Sequence, residues 1–187
     1  MGIVFISCDS EKTAKPRPRM YPHIEYPSGN DHVFTFQDCP FSITLPDYIK
    51  VVMDNGISTD QNQSCWFDME IEALEAKIHC SYYPIDDNNS LENLIDDAYT
   101  FVRKHNIKAT FRKETPVSNS FGSLGMIFEI DGPVASPYQF YMTDEENHFL
   151  RGSLYFNHAI AQDSMLPIID YIKADINDAL ATLRLVN

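Results

Sequence analysis

Apolar and polar residues alternate with a period of two through much of this chain, and the interruptions mark its turns and helices. Short alternating runs at 33–36 and 41–45 flank Asp38-Cys39-Pro40, and another follows at 49–53. Each reads as a strand, because successive strand side chains point to opposite faces. From Asp54-Asn55-Gly56 to Ser64 the chain is polar and aperiodic, which predicts a loop. Beyond it Cys65, Phe67, Met69 and Ile71 share one parity, against Trp66, Asp68, Glu70 and Glu72 on the other. After a turn at 72–75, Ala76, Ile78, Cys80 and Tyr82 return to the same apolar side. The two strands predict a hairpin with one buried face.

Ser90 opens a helix: Leu91, Leu94, Ile95, Ala98 and Val102 follow a 3.6-residue period, and serine at an N-cap accepts a hydrogen bond from an otherwise unpaired early amide. That helix ends near His105-Asn106. Strands resume around 108–113, 125–130, 138–143 and 149–156, the last two as a hairpin. Leu150, Leu154 and Phe156 lie on one side of the final strand, with Phe149 and Tyr155 on the other, so both faces of the sheet are covered. Met165, Ile168, Ile169, Ile172, Ile176, Leu180 and Leu183 then form one long helical stripe behind Asp163-Ser164, and Pro167 is tolerated in its first turn. The fold class is α+β, a mainly antiparallel sheet sandwiched between two long helices. This order of elements is similar to that of PsbP/Mog1 domains.

The first residues follow different rules. Ile3-Val4-Phe5-Ile6-Ser7-Cys8 is an apolar run closing on a small residue and a cysteine, the pattern at which a lipoprotein signal is cut and its new terminal cysteine acylated. Residues 1–7 read as the remnant of that signal, with Met1 internal to a longer original, and Cys8 as the lipidation site. Pro16, Pro18, Pro22 and Pro27 forbid helix and favour extended chain, so residues 8–28 form a semi-rigid tether and 29–187 a single domain. Met20, Tyr21, Ile24 and Tyr26 make the second half of the tether apolar enough either to lie against the domain or to add a strand to a partner. No apolar run approaches the roughly 20 residues that cross a bilayer as a helix. A membrane is therefore engaged through the lipid.

Acids outnumber bases 27 to 14, for a formal net charge of -13, which excludes nucleic acid as a partner because binding a polyanion depends on clustered Lys and Arg. Lys12, Lys15, Arg17 and Arg19 stand apart just after Cys8, as a solvated tail or a headgroup contact.

Candidate chemistry is sparse. The six histidines never take a spacing that would place two ligands on one metal ion, so neither a metal nor another cofactor is expected. No nucleophile elbow or phosphate-cradling glycine loop is present, and no catalytic residue is assigned. With Cys8 given to lipid, Cys39, Cys65 and Cys80 leave an odd number: either Cys39 and Cys65 bridge, or all three are free thiols. Arg151 lies in a strand rich in aromatics, where it either pairs with an acid such as Glu129 or marks a recognition surface. Tyr138, Phe149, Arg151 and Tyr155 on the 138–156 hairpin are the candidate partner surface.

Several of these stretches, in order, resemble the gliding motility lipoprotein GldD family of the Bacteroidetes. They are Lys15-Pro16-Arg17 followed by Tyr21, Asp38-Cys39-Pro40-Phe41, Cys65-Trp66-Phe67, Ala76-Lys77-Ile78 with Ser81-Tyr82, Ile107-Lys108-Ala109, Gln139-Phe140-Tyr141 with Thr143-Asp144, and His148 through Phe156. The resemblance implies a lipoprotein of the cell envelope, facing the periplasm, required for gliding and tied to type IX secretion, with other gliding and secretion proteins as partners and no known catalysis. It implies a Cys39 to Cys65 disulfide and leaves Cys80 as a core residue. The shortened signal departs from the family, while Cys8 matches. Two other classes compete: a small-molecule or lipid-binding module with a pocket between sheet and helix, and a hydrolase with a buried acid and histidine converging in a cleft.

Overall fold

In the computed structural model, which describes residues 24–36, 39–53, 65–105, 108–157 and 162–186, the two-residue alternation builds most of the architecture. Strand β4 (Cys65–Ile71) is buried at every second residue, and it pairs antiparallel with β5 (Ala76–Pro84) so that Phe67 faces Cys80 and Met69 faces Ile78. The turn between them is a single 3-10 turn, Glu72–Leu74, closed by Glu75 in the left-handed region at φ 49°. These strands join β3 (Lys50–Met53), β6 (Phe111–Ser118), β7 (Leu124–Asp131), β8 (Tyr138–Thr143) and β9 (His148–Phe156) in a seven-stranded antiparallel sheet of order β3-β4-β5-β9-β8-β7-β6.

Strand β6 starts and ends later than the pattern at 108–113 suggests, and it contains Pro116. It lies at the sheet edge, where one side of the strand has no ladder to complete and a missing N–H is tolerated. Proline reads as a strand breaker until the edge position is known.

A second sheet corrects the expected single one. β1 (Asp31–Thr35) and β2 (Phe41–Pro46) pair with each other, and β10 (Arg184–Leu185) adds to β2, with Arg184 opposite Ser42 and Leu185 opposite Phe41. Two residues are too few for any periodicity, so β10 leaves no trace in the pattern. The small sheet shares one face of the large sheet with helix α2 (Gln162–Thr182). There Phe41, Ile43 and Leu45 meet Ile172, Ile176 and Leu180 in one continuous core. Truncating a residue such as Ile172, fully buried in that core, to alanine would cost about 2–5 kcal/mol.

Helix α1 (Leu91–His105) covers the other face, with its first-turn amide Asn93 N–H donating to Ser90 Oγ at 3.4 Å. Leu94, Ala98 and Val102 pack on Phe128, Ile130, Tyr141 and Phe149. That core is drawn mainly from β7, β8 and β9. On the same face, β4 and the first half of β5 carry Trp66, Asp68, Glu70, Lys77 and His79, all partly or fully exposed. The two helices thus lie on opposite faces, but neither covers its face alone.

The end of the proline-rich segment lies along α2. Ile24 packs against the larger core, the rings of Tyr26 and Tyr171 are 4.7 Å apart, and the Tyr171 hydroxyl donates to the Pro27 carbonyl. Among the described residues no helix is long and apolar enough to cross a membrane. Cys8 and most of the tether lie outside the described residues.

Candidate functional site

Where α1 stops short of β4 and β5, the sheet face forms the floor of a cleft of about 390 Å³. Strand register assembles it in rows. Trp66 on β4 is level with Ser81 on β5, and Ser81 with Arg151 on β9; one row along, Asp68 is level with His79 and His79 with Ser153. Tyr155 extends the β9 side, and Phe101 of α1 forms a wall. Side chains on alternate residues of three adjoining strands thus converge because they share one parity.

Arg151 is the charged centre of this cleft. Its guanidinium lies over the Phe101 ring, 4.1 Å from the centroid. Among the described residues no carboxylate comes within ion-pair distance of it, and burial draws the guanidinium below its ordinary pKa, offset in part by Tyr83, Asp97 and Tyr155. Burial likewise pushes the Tyr155 phenol up, against the opposing pull of Arg151. Glu129, the acid expected to pair with Arg151, lies on the α2 face of the sheet instead. It is held there by Lys173 at 3.0 Å and Lys113 at 3.2 Å. The physical reason is parity: Glu129 follows Phe128 of the α1 core and precedes Ile130 of the same core, so it points the other way.

Of the four hairpin residues expected to form a partner surface, the structure brings two together. Arg151 and Tyr155 both line the cleft. Tyr138 and Phe149 are each 1% exposed, and they lie on opposite faces of the sheet. Tyr138 donates to Asn177 Oδ1 of α2 at 2.6 Å, and Phe149 stacks on Tyr141 beneath α1. Aromatic density in these strands reflects two cores, one on each side, and not an exposed patch. Trp66, His79 and Phe101 were not singled out by sequence reasoning. Phe101 and Trp66 carried a signal, as aromatic residues outside the apolar stripe of a helix and on the polar parity of a strand.

Cys39 and Cys65 are joined in a disulfide, with Cα atoms 6.2 Å apart, and Cys80 is a buried free thiol whose pKa burial raises strongly. The bridge ties the start of β2 to the start of β4.

The apolar space between the large sheet and α2, lined by Phe41, Phe67, Phe140 and Ile176, is about 10 Å³, no larger than one water needs. It leaves no room for an acyl chain. His79 Nδ1 is 2.6 Å from Asp68 Oδ1 at the rim of the cleft, but no serine hydroxyl is hydrogen bonded to His79 among the described residues, and the imidazole is half exposed. His148 Nδ1 meets the Tyr82 hydroxyl at 2.7 Å in the buried hairpin, with Asp144 3.8 Å from its other nitrogen. No group of three or more potential metal ligands occurs among the described residues.

No curated protein matches this sequence. Among solved structures, the chain is similar to the solution structure of cyanobacterial PsbP (CyanoP) from Synechocystis sp. PCC 6803. The identity is 12% and the TM-score 0.43, over 83% of this chain and 92% of that one. The model of the gliding motility lipoprotein GldD family matches residues 11–185, which spans the ten strands and two helices of the described residues, the bridging cysteines and the Arg151 cleft, and the chain belongs to that family.

Proposed function

We propose that this protein is a non-enzymatic, lipid-anchored component of the gliding machinery, linked to type IX secretion, and that it works by contact with other envelope proteins. Cys8 carries the acyl group, residues 9–28 form the tether, and the acidic domain faces the periplasm. The reading is supported by family membership together with the course of the chain. Residues 24–27 lie along α2, so a body held from its N-terminal side is tied down on the α2 face. The Arg151 cleft opens on the opposite face. A domain hung this way presents the cleft, and not its tether side, to the space where partners move.

The formal charge of -13 supports the same division of labour: a strongly acidic body resists lying flat on an anionic leaflet, so a lipid, and not the domain surface, provides membrane affinity. A single acyl chain gives only marginal binding, and firm retention takes a second chain or a basic segment. Lys12, Lys15, Arg17 and Arg19 supply the basic segment beside Cys8.

The test is crosslinking and affinity capture from membranes of cells carrying either the native chain or Cys8→Ala. Recovery of gliding and secretion proteins with the native chain alone is the expected result. Unchanged membrane retention and an unchanged set of captured proteins in the variant would remove the proposal.

A further inference from the structure

The Arg151 cleft has a built-in asymmetry that a purely structural arginine lacks. A buried charge ordinarily meets an opposite charge, because an unpaired one carries a large desolvation penalty. Arg151 is partly buried on the sheet floor, yet its contact among the described residues is the face of Phe101. A cation–π contact is made to the π face of the ring and takes no hydrogen-bond acceptor, so it does not by itself use up the in-plane N–H donors of the guanidinium. The contact with Phe101 therefore holds the guanidinium in place without consuming its donors. Arg151 lines a cleft and is not sealed in the core.

The surroundings select the anion. Asp97 acts electrostatically on Arg151, and Asp68, paired with His79 and Lys77, stands one strand row away. These acids repel a dianion more strongly than a monoanion, which disfavours a phosphate monoester carrying a charge of about -1.5 to -2. A carboxylate has one charge and a planar pair of oxygens that matches the guanidinium fork. Trp66, Phe101 and Tyr155 add aromatic walls, and a cleft of about 390 Å³ holds considerably more than the carboxylate itself. An apolar or aromatic group beside the carboxylate fills that space.

We infer that the cleft between α1 and strands β4, β5 and β9 is a binding site for a monocarboxylate attached to an apolar or aromatic group, with Arg151 holding the carboxylate and Trp66, Phe101 and Tyr155 the apolar part. Such chemistry occurs in free organic acids and at the C-terminus of a polypeptide. The site stands on the geometry of the domain and does not depend on the lipid anchor.

Trp66 is the single tryptophan of the chain and lines the cleft, so its emission reports directly on occupancy. The full 187-residue chain is titrated near neutral pH with 3-phenylpropionate, 3-phenylpropanamide, inorganic phosphate, and the tripeptide Gly-Gly-Phe with a free or an amidated C-terminus. Calorimetry runs in parallel. Saturable binding is expected for an acid, with a Kd at least about tenfold lower than for its amide, since a charge-assisted fork contributes more than one neutral hydrogen bond. Arg151→Gln weakens the acid by about tenfold or more and leaves the amide unchanged. Tighter binding of the peptide acid than of 3-phenylpropionate assigns the ligand to polypeptide C-termini, and the reverse order to small acids; either supports the site. Four results would overturn it: equal affinity for acid and amide, phosphate binding as well as the acids, an unaltered Kd in Arg151→Gln, or no saturation by either method up to about 10 mM. If Arg151→Gln fails to fold, the acid-to-amide ratio on the native chain decides.

Discussion

Gly152 and Phe140 stand directly opposite each other on β9 and β8, and the Phe140 ring occupies the space that a side chain at Gly152 would need. A Cβ built there lies 2.3 Å from Phe140 Cζ and 2.4 Å from Cε1. Phe140 is itself buried against Phe41, Ile176 and Leu180 around the small interior space, so it has nowhere to retreat. Gly152→Ala is therefore expected to destabilise by about 1–3 kcal/mol, the usual cost of overpacking. In a protein of this size that lowers Tm by roughly 2–12 °C. The cost should shrink in a Phe140→Leu background, a coupling that a double-mutant cycle measures directly. Equal losses in both backgrounds would show that the ring is not the obstacle.

One residue earlier, the expected outcome has the opposite character. Arg151 carries no ion pair among the described residues to lose, and burial already works against its charge. Arg151→Met keeps an apolar stem of similar length while removing the desolvated guanidinium and its contact with Phe101. Replacing a buried charge by an apolar side chain of similar volume is often neutral or stabilising. Urea denaturation is expected to show a change smaller than about 1 kcal/mol, after allowing for a lost cation–π contact of up to about that size. A loss above about 3 kcal/mol would mean that a partner is being broken and that the arginine is structural.

These neighbouring residues illustrate what the sequence carries. The β4–β5 hairpin, both helices and the β8–β9 hairpin follow from parity or from a 3.6-residue stripe, because each element buries one face against a core and the pattern records which. Arg151 was conspicuous as a cation in an aromatic strand, but its partner could not be read: the acid expected for it, Glu129, points to the opposite face and is held by Lys173 and Lys113. Gly152 carries no signal at all, since its role is set by a ring on another strand. The same holds for the cleft. Trp66, His79 and Arg151 are far apart in sequence and meet only because strand order places β5 between β4 and β9. Strand order is a non-local choice, and the local pattern is silent on it.

The Cys39 to Cys65 bridge spans 26 positions and encloses β2, β3 and the chain between β3 and β4. Cross-linking a loop of that length removes unfolded-state freedom worth about 3 kcal/mol in the chain-entropy model. The double variant Cys39→Ser/Cys65→Ser should melt about 6–12 °C below the native chain. Added reductant should shift the native chain by the same amount and leave the variant unmoved. In the folded protein Cys80 should resist alkylation, since burial raises its thiol pKa and shields the sulfur. Equal melting temperatures for the two proteins would show that the bridge constrains nothing the sheet does not already hold.

Two aspartates should respond to acid in opposite directions. Burial alone would raise the Asp144 carboxyl, but backbone N–H groups of Asn147, His148 and Glu146 converge on it and hold it below the usual value. They lie 2.9, 2.8 and 3.1 Å from Oδ1 and shape the turn between β8 and β9. Its stabilisation is fully present above the unfolded value of about 3.9 and is lost as pH falls through the lower folded one. Asp175 is the converse: burial raises its carboxyl, Asp178 and Asp31 add to that, and the hydrogen bond from Tyr48 only partly opposes them. Its charge is a cost to the fold at neutral pH, relieved as protonation sets in. Asp144→Asn should lower stability at pH 7 by about 1 kcal/mol, the low end for a charge-assisted site that is partly exposed. Asp175→Asn should raise it by up to about 1 kcal/mol, because asparagine still accepts from Tyr48. Both differences should shrink when urea denaturation is repeated near pH 3, where carboxylates approach neutrality in the unfolded chain. Shifts of the same sign at neutral pH would mean that the two environments do not differ as their hydrogen bonds and neighbouring charges require.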